Sequence, residues 1–481
     1  MKNEHDLFRY EEIVDKIQSI IKNLNLKPGD RVPSLRQVCK ELEVSLATAL
    51  QAYRTLEAKG LVISRPKSGY FVNATTKNNL IQKPHNDKYI PLPINVTLNT
   101  MIANMLVNMK QFGLVNFFIF APVNELLPIS RISKAVRDAL KDTNSDSFQY
   151  PLIEGHPRLV KQIARQTFDW ELSLSTEHVL VTNGCTEAIN LCLDAIAQPG
   201  DIILIESPAP YGILQSLALR NLLALEVPVH PETGLYLDQL EFAIAQHKVT
   251  ACVLTTVINA PMGCAMPKEN ILKLLEILKK NNIPLIEDDA LGDLSFTHPR
   301  PLPAKAYDLD NNVLYCTSFS KSLGPGFRIG WVSGGKYHEK IKRLKYMSNF
   351  FTNGILQDAI GRFLETGLYN SHLKRMKTAM QQNLARYMDS INNHYPPDIK
   401  ISTPKGGLCL WMELPAHIDA LELQRRAIDQ GIGICPGQIF TASNQYNNFI
   451  RLNYCLLWTP KIDKHLKKLG TLIINYNNPQ R

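Results

Sequence analysis

Apolar positions in the N-terminal part of the chain repeat with a helical period. Ile13, Ile17, Ile20, Ile21 and Leu24 fall on one stripe and predict a first helix, ended by Pro28-Gly29. Ser34 stands where a second helix needs its cap, and Leu35, Val38, Cys39 and Leu42 follow at i, i+3, i+4 and i+7. After a short turn at Glu43 and Val44, Ser45 caps a third helix running to about Lys59. Ala49, Tyr53 and Leu56 face inward on it, whereas Ala47, Thr48, Gln51 and Arg54 face outward. Gly60 closes that helix. A strand over 61–65, a turn over 66–69 and a strand over 70–72 then predict a hairpin carrying Lys67. Two short helices joined by a tight turn and followed by this hairpin predict a winged helix-turn-helix. A three-helix interaction module has the same periodicity, so the pattern by itself leaves both readings open.

The texture changes between about residues 74 and 100, where polar residues lead into a stretch holding Pro84, Pro91 and Pro93 with little periodicity. The organisation predicted is a small domain over 1–74, a linker over 75–105 and a large domain over 106–481. The large domain alternates short apolar runs (179–182, 202–205, 251–256, 284–287 and 313–315) with helical patterns. That alternation predicts βα units around a mostly parallel sheet.

A chain of 481 residues exceeds what one hydrophobic core serves, and 45% apolar with 20% charged residues is ordinary globular composition. The net charge of +9 permits nucleic-acid binding without requiring it. None of the nine cysteines forms a CxxC pair. The spacings of Cys185 with Cys192 and of Cys252 with Cys264 suit neither a zinc ribbon nor a disulfide framework, so no metal centre is expected. The strongest apolar stretch, 112–127, is interrupted by Asn116, Pro122, Asn124 and Glu125 and is too short for a membrane span. The polar N-terminus argues against a secretory signal, and a cytoplasmic protein is expected.

The chemistry concentrates in Ser318-Phe319-Ser320-Lys321-Ser322-Leu323-Gly324-Pro325-Gly326-Phe327-Arg328. An aldehyde cofactor bearing a phosphate needs an amine nucleophile with small hydroxyls and a cation nearby. Lys321 supplies the Schiff-base amine, while Ser318, Ser320 and Arg328 can take the phosphate. Upstream, Asn183-Gly184-Cys185-Thr186 joins a strand to a helix and presents backbone N–H groups to an anion. Asp288 ends an apolar strand, where a carboxylate can keep a pyridine nitrogen protonated. Its neighbour Asp289 reads as a helix cap. Tyr211, after Pro208 and Pro210, offers a ring for stacking.

Residues 6–73, with "PGDRVPSLRQVCKELEVSLATALQAYRTLEAKGLVISRPKSGYFV", resemble the winged helix-turn-helix of the GntR superfamily. That resemblance implies DNA contacts from Arg36, Ser45, Thr48, Arg54 and Gly69, with Arg31 and Lys67 on phosphates. Leu46 stands where many members carry Arg. Residues 110–475 resemble fold-type I pyridoxal-phosphate enzymes of the aspartate aminotransferase family, in the order phosphate turn, stacking aromatic, Asp, Lys and late Arg. By that resemblance Arg451 clamps a carboxylate, and Tyr150 reaches the phosphate of a partner subunit in a homodimer. The combination resembles the MocR subfamily of regulators. It implies a winged helix-turn-helix plus an α/β aminotransferase-like domain with pyridoxal 5'-phosphate as cofactor. It also implies a DNA operator, an amine, amino acid or pyridoxal phosphate itself as effector, and a head-to-tail dimer. Two positions depart from active aminotransferases. Ala260 stands where an Asn is usual, with Asn259 one residue early and a candidate for the same oxygen, and Leu291 stands where a Tyr is usual. The reading is a cofactor-binding transcriptional regulator, with an active aminotransferase carrying an accessory domain as the alternative. Whether transamination turns over stays open.

Overall fold

The computed structural model describes residues 5–24, 26, 29–58, 61–65, 68–72, 81, 91–96, 113–142, 149–169, 172 and 174–477. They divide into two compact units, one of residues 1–79, 378–399 and 457–481, the other of residues 80–377 and 400–456. Among the described residues no helix is long and apolar enough to cross a membrane.

In the first unit, helices α1 (His5–Asn23), α2 (Leu35–Leu42) and α3 (Leu46–Ala58) precede strands β1 (Val62–Arg65) and β2 (Gly69–Val72). Ser34 caps α2 through a reciprocal pair. Gln37 N donates to Ser34 Oγ at 3.3 Å, and Ser34 N donates to Gln37 Oε1 at 2.8 Å, a device that contributes about 1 kcal/mol. Glu43 ends α2 in the left-handed region, and Thr48 N then donates to Ser45 Oγ at 3.1 Å to start α3. Ile13, Ile17, Val38, Ala49, Tyr53 and Leu56 close one core. Leu24 does not join them. It lies one residue past the end of α1, where the helical period no longer holds, and is 67% exposed. The wing also gains an edge that periodicity does not reveal: Val32 N donates to Tyr70 O and Val72 N to Asp30 O. Lys59, Gly60 and Lys67 lie outside the described residues.

The second unit holds, in chain order, β3 (Ile94–Asn95), β4 (Val115–Asn116), β5 (Leu180–Thr182), β6 (Ile202–Ser207), β7 (Leu223–His230), β8 (Gly234–Leu235), β9 (Val249–Leu254), β10 (Leu285–Asp288), β11 (Val313–Ser318) and β12 (Gly330–Ser333). They form one sheet in the order β3-β7-β6-β9-β10-β11-β12-β5, with β8 on β7 and β4 elsewhere. From β7 to β11 neighbouring strands are parallel, and β12 returns antiparallel between β11 and β5. Alternate residues feed two cores. Leu204, Cys252 and Leu285 meet Leu240 and Leu274 on one face, while Ile203, Ile205, Val253 and Ile286 meet Ala188 and Leu214 on the other. A sheet covered on both faces requires near-continuous apolar strands, which is why these segments are readable in the sequence. β7 is not predicted, because Glu226 and Pro228 interrupt its apolar run. Within the stretch read as a linker, Ile94–Asn95 pairs antiparallel with Leu223–Ala224 at the sheet edge.

A second sheet comprises β13 (Lys400–Ile401), β14 (Cys409–Glu413), β16 (Cys435–Pro436) and β17 (Phe449–Asn453), while β15 (Ile432–Gly433) pairs in parallel with β4. Asp289 is not a helix cap. Its buried carboxylate takes the Arg300 guanidinium and the Tyr315 hydroxyl, a partnership formed across 11 and 26 residues of sequence. Removing the cation strands a buried charge. Arg300→Met is expected to lower the unfolding free energy by about 3–5 kcal/mol, read from urea denaturation of the full chain; an unchanged midpoint would contradict the pairing.

Candidate functional site

The parallel strands of the main sheet end on one side, where open α/β sheets place their ligand crevices. β5 runs into the Gly184 turn, β6 into Tyr211, β9 into Thr255 and Pro261, β10 delivers Asp288, and β11 delivers Ser318 and then Lys321. A cavity of about 200 Å³ lies there. It is lined by Cys185, Thr186, Tyr211, Asp288, Ser318, Ser320, Lys321, Arg328 and Arg451 among others.

The Lys321 amine donates to the Phe120 carbonyl and lies 4.6 Å from the centre of the Phe120 ring. Burial lowers its pKa to about 8, with the Arg451 charge acting in the same direction and Asp288 opposing both. Asp288 Oδ1 accepts from Ala290 N at 3.0 Å and from the Cys185 thiol at 3.3 Å. Burial pushes its carboxyl up, and these two donors and Lys321 counter that. The Cys185 thiol is thus committed to Asp288, so that residue faces an anion only through its backbone.

The Gly184 turn has the donors that an anion needs. Gly184 opens the helix Cys185–Ile196 with no side-chain cap, leaving first-turn N–H groups free for an anion. Its φ of +84° favours glycine, and a Cβ there would come within 2.6 Å of the Arg328 guanidinium. Arg328 Nη2 donates to Asn183 O at 3.0 Å, and the buried Ser320 hydroxyl has no hydrogen-bond partner. Free N–H groups, an orphan hydroxyl and a cation form a donor set fitted to a phosphate.

Arg451 comes from the second sheet, opposite Trp411, and is 2% exposed. Its Nη2 donates to the Phe118 carbonyl, its Nε has no hydrogen-bond partner, and the rings of Phe120, Phe440 and Phe118 surround it at 4.8, 5.3 and 5.9 Å. Phe120 therefore lies against both cations. It sits in the apolar run Phe117-Phe118-Ile119-Phe120, which carries no motif and gives no sign of its position.

Two expected residues are elsewhere. Asn259 does not line the cavity. It is buried behind the wall with Oδ1 accepting from Met262 N at 3.2 Å, while Ala260 occupies the wall. The segment is a tight turn, with Asn259 N donating to Cys264 O at 2.9 Å and Gly263 N donating back to Asn259 O at 2.8 Å, so a shift of one residue changes which side chain meets the cavity. Tyr150 is 87% exposed, its ring 5.3 Å from that of Phe351. In the first unit Arg31, Arg36, Ser45 and Arg54 are exposed, and Thr48 is half-buried with its hydroxyl on Ser45. Gly69, at φ +101°, lies against the Arg31 guanidinium.

The fold and the cavity define a fold-type I aminotransferase-like domain in a chain that also carries a winged helix-turn-helix. The family model "Aminotransferase class I and II" matches residues 123–469, and "Bacterial regulatory proteins, gntR family" matches residues 9–72. The chain is 34% identical over 469 residues to the uncharacterized HTH-type transcriptional regulator YdcR of Escherichia coli (strain K12), covering 97% of this chain and 99% of that protein. YjiR of the same organism is 32% identical over 465 residues, covering 97% and 98%. Among solved structures, an archaeal alanine:glyoxylate aminotransferase superposes with TM-score 0.75 at 25% identity, covering 79% of this chain and 96% of that one. The alpha-aminoadipate aminotransferase LysN of Thermus thermophilus, solved with N-(5'-phosphopyridoxyl)-L-leucine, gives 0.71 at 25%, covering 79% and 99%. The chain belongs to the MocR-type family of GntR regulators, which join this helix-turn-helix to an aminotransferase-like domain, and the cofactor of that domain family is pyridoxal phosphate.

The lowered pKa of Lys321 has a direct readout. In cofactor-free protein, labelling of Lys321 by an amine-reactive reagent, followed by peptide mass analysis, is expected to be half-maximal near pH 8. Above that pH the amine is neutral and nucleophilic; a midpoint near the ordinary lysine value of about 10.4 would contradict its burial.

Proposed function

We propose that this chain is a cytoplasmic transcriptional regulator that binds operator DNA through its winged helix and senses an amine at the Lys321 cavity. The effector class follows from one observation: a half-buried lysine amine and a buried guanidinium, held by carbonyls and rings in place of carboxylates, face the same cavity. An α-amino acid carries the complementary pair of groups, and bidentate capture of its carboxylate suits Arg451. Pyridoxal phosphate itself is the other effector with the right chemistry.

When bound, pyridoxal phosphate supplies an electrophilic aldehyde carbon and an electron-withdrawing ring. Lys321 would hold it through the amine, Asp288 through the ring nitrogen, and Tyr211 by stacking. Ser318, Ser320, Arg328 and the Cys185–Thr186 backbone would take the phosphate. Ala260 and Leu291 line the same cavity and offer no donor. Sensing by exchange of amines at Lys321 needs no such donor, whereas tuned proton transfer through repeated turnover does. This favours a sensor over an aminotransferase.

A homodimer accounts for the surface around Tyr150. Its ring meets Phe351, Phe351 meets Phe350, and Phe350 meets Tyr346, with Met347 alongside. An exposed aromatic patch of this kind is expected to be covered, and by the family's arrangement Tyr150 would reach the partner subunit's phosphate cradle. Two dimer conformations with different effector affinity would then carry the signal to DNA.

The test pairs visible absorbance with DNA binding on purified full-length protein. The wild type is expected to be yellow with added pyridoxal phosphate and to change both absorbance and DNA affinity with a particular amino acid. Lys321→Ala is expected to lose the colour and the response. Arg451→Met should keep the colour and lose the response to carboxylate-bearing amines. DNA binding indifferent to cofactor and to every amine would sink the sensor, and sustained keto-acid release would establish the enzyme instead. On the DNA side, Arg36→Ala is expected to weaken operator binding by about tenfold or more, with wild-type affinity falling as salt rises. Equal binding by the two proteins would show that α2 and α3 are not the reading elements.

A further inference from the structure

The residues directly after Asp288 and Lys321 belong to one buried polar chain that the binding roles above leave unexplained. After Lys321 comes Ser322, which is buried. Its Oγ lies 2.7 Å from the Tyr369 hydroxyl, and its carbonyl lies 2.8 Å from His372 Nε2. After Asp288 comes Asp289, bound to Arg300 and Tyr315. Asp293 joins the two ends: its Oδ2 is 2.6 Å from the Tyr369 hydroxyl and its Oδ1 is 3.5 Å from Arg300 Nε. None of Ser322, Asp293, Arg300, Tyr369 and His372 lines the cavity.

The proton count fixes the direction of each bond. A carboxylate only accepts, so Tyr369 spends its one proton on Asp293. Ser322 must then donate to the Tyr369 oxygen, its other acceptor being Phe319 O at 3.5 Å. Burial and the Asp293 charge raise the Tyr369 pKa well above its ordinary value, which keeps that proton in place. Burial lowers the His372 pKa, so its ring is neutral and Nε2 carries the hydrogen given to the Ser322 carbonyl. The members are linked in series, with His372 Nδ1 and Asp289 Oδ1 left without a hydrogen-bond partner. Bonds linked in this way hold backbone more firmly than isolated ones.

We propose that Tyr369 is a positioning residue for the cofactor site. By tying Ser322 to Asp293, and through Arg300 to Asp289, it fixes the backbone under Lys321 relative to the strand end that bears Asp288. The lysine side chain is flexible, so the position of its backbone decides where the amine stands against the carboxylate partner of the ring. This proposal rests on the reading that Lys321 and Asp288 hold pyridoxal phosphate.

Tyr369→Phe removes the hydroxyl and keeps the ring, which packs edge-on against Phe319 at 6.0 Å. Three measurements on full-length protein test the idea: pyridoxal phosphate affinity by visible absorbance, induced visible circular dichroism per bound cofactor, and melting of the cofactor-free form. The expected result is an affinity loss of about tenfold, the size of one lost hydrogen bond to a charged network, with weakened visible dichroism and little change in cofactor-free melting. Ser322→Ala should reproduce it, Ser322→Thr should restore wild-type behaviour, and Ser322→Ala combined with Tyr369→Phe should lose no more than either alone. Wild-type affinity and dichroism in Tyr369→Phe would overturn the proposal, as would an affinity loss matched by an equal fall in cofactor-free stability. Should that variant fail to fold, the two Ser322 variants decide the matter on the same readouts. A wild type that takes up no pyridoxal phosphate would instead overturn the site reading beneath it.

Discussion

Asp288 and Lys321 come from different strands and share a cavity because β10 and β11 pair in parallel, with Asp288 opposite Cys316. Parallel register brings the C-terminal ends of both strands to one edge, and the loops that follow have only a few residues in which to diverge. The pairing is stable because both faces of the sheet are covered by apolar side chains from alternate residues. It is extended past the last ladder position by the Asp289 N–H, which donates to Cys316 O at 2.8 Å. Cradle, amine and carboxylate all stand on this edge.

Arg451 is brought to that edge by a separate constraint. β14 and β17 carry it in the second sheet, and the carbonyls of residues 117–121 hold it there: Phe118 O takes Arg451, Ile119 O and Ala121 O take Asn453, and Phe120 O takes Lys321. One short segment thus satisfies donors from two sheets. Guanidinium and amine both lie against Phe120, and the proposed amino-acid effector rests on this pairing.

Much of the architecture is legible from local pattern. The helices α1, α2 and α3 declare themselves by period and cap, and Ser34 and Ser45 are where the pattern requires them. The parallel strands declare themselves as apolar runs, because each is buried on both faces. Lys321, Asp288, Arg328 and the Gly184 turn are readable because they end or flank such runs in short sequences whose chemistry is distinctive. Asn259 is the counterexample: sequence proximity to the motif suggests a ligand, but the backbone turns its amide into the core and leaves Ala260 on the wall.

The sequence by itself therefore determined the winged helix-turn-helix, the parallel sheet and the residues read as amine, carboxylate and anion turn, since each follows from residues close together along the chain. The grouping of residues 378–399 and 457–481 with the N-terminal unit, in place of one large domain over 106–481, does not follow from the sequence. Only the tertiary structure decided which groups complete them. Phe120 meets Lys321 across 201 residues and Arg451 meets Phe118 across 333. The chain from His372 to Tyr315 likewise joins residues on strands, loops and a helix with no common spacing. Such contacts are set by how strands and helices pack, and packing leaves no period in the sequence from which to read them.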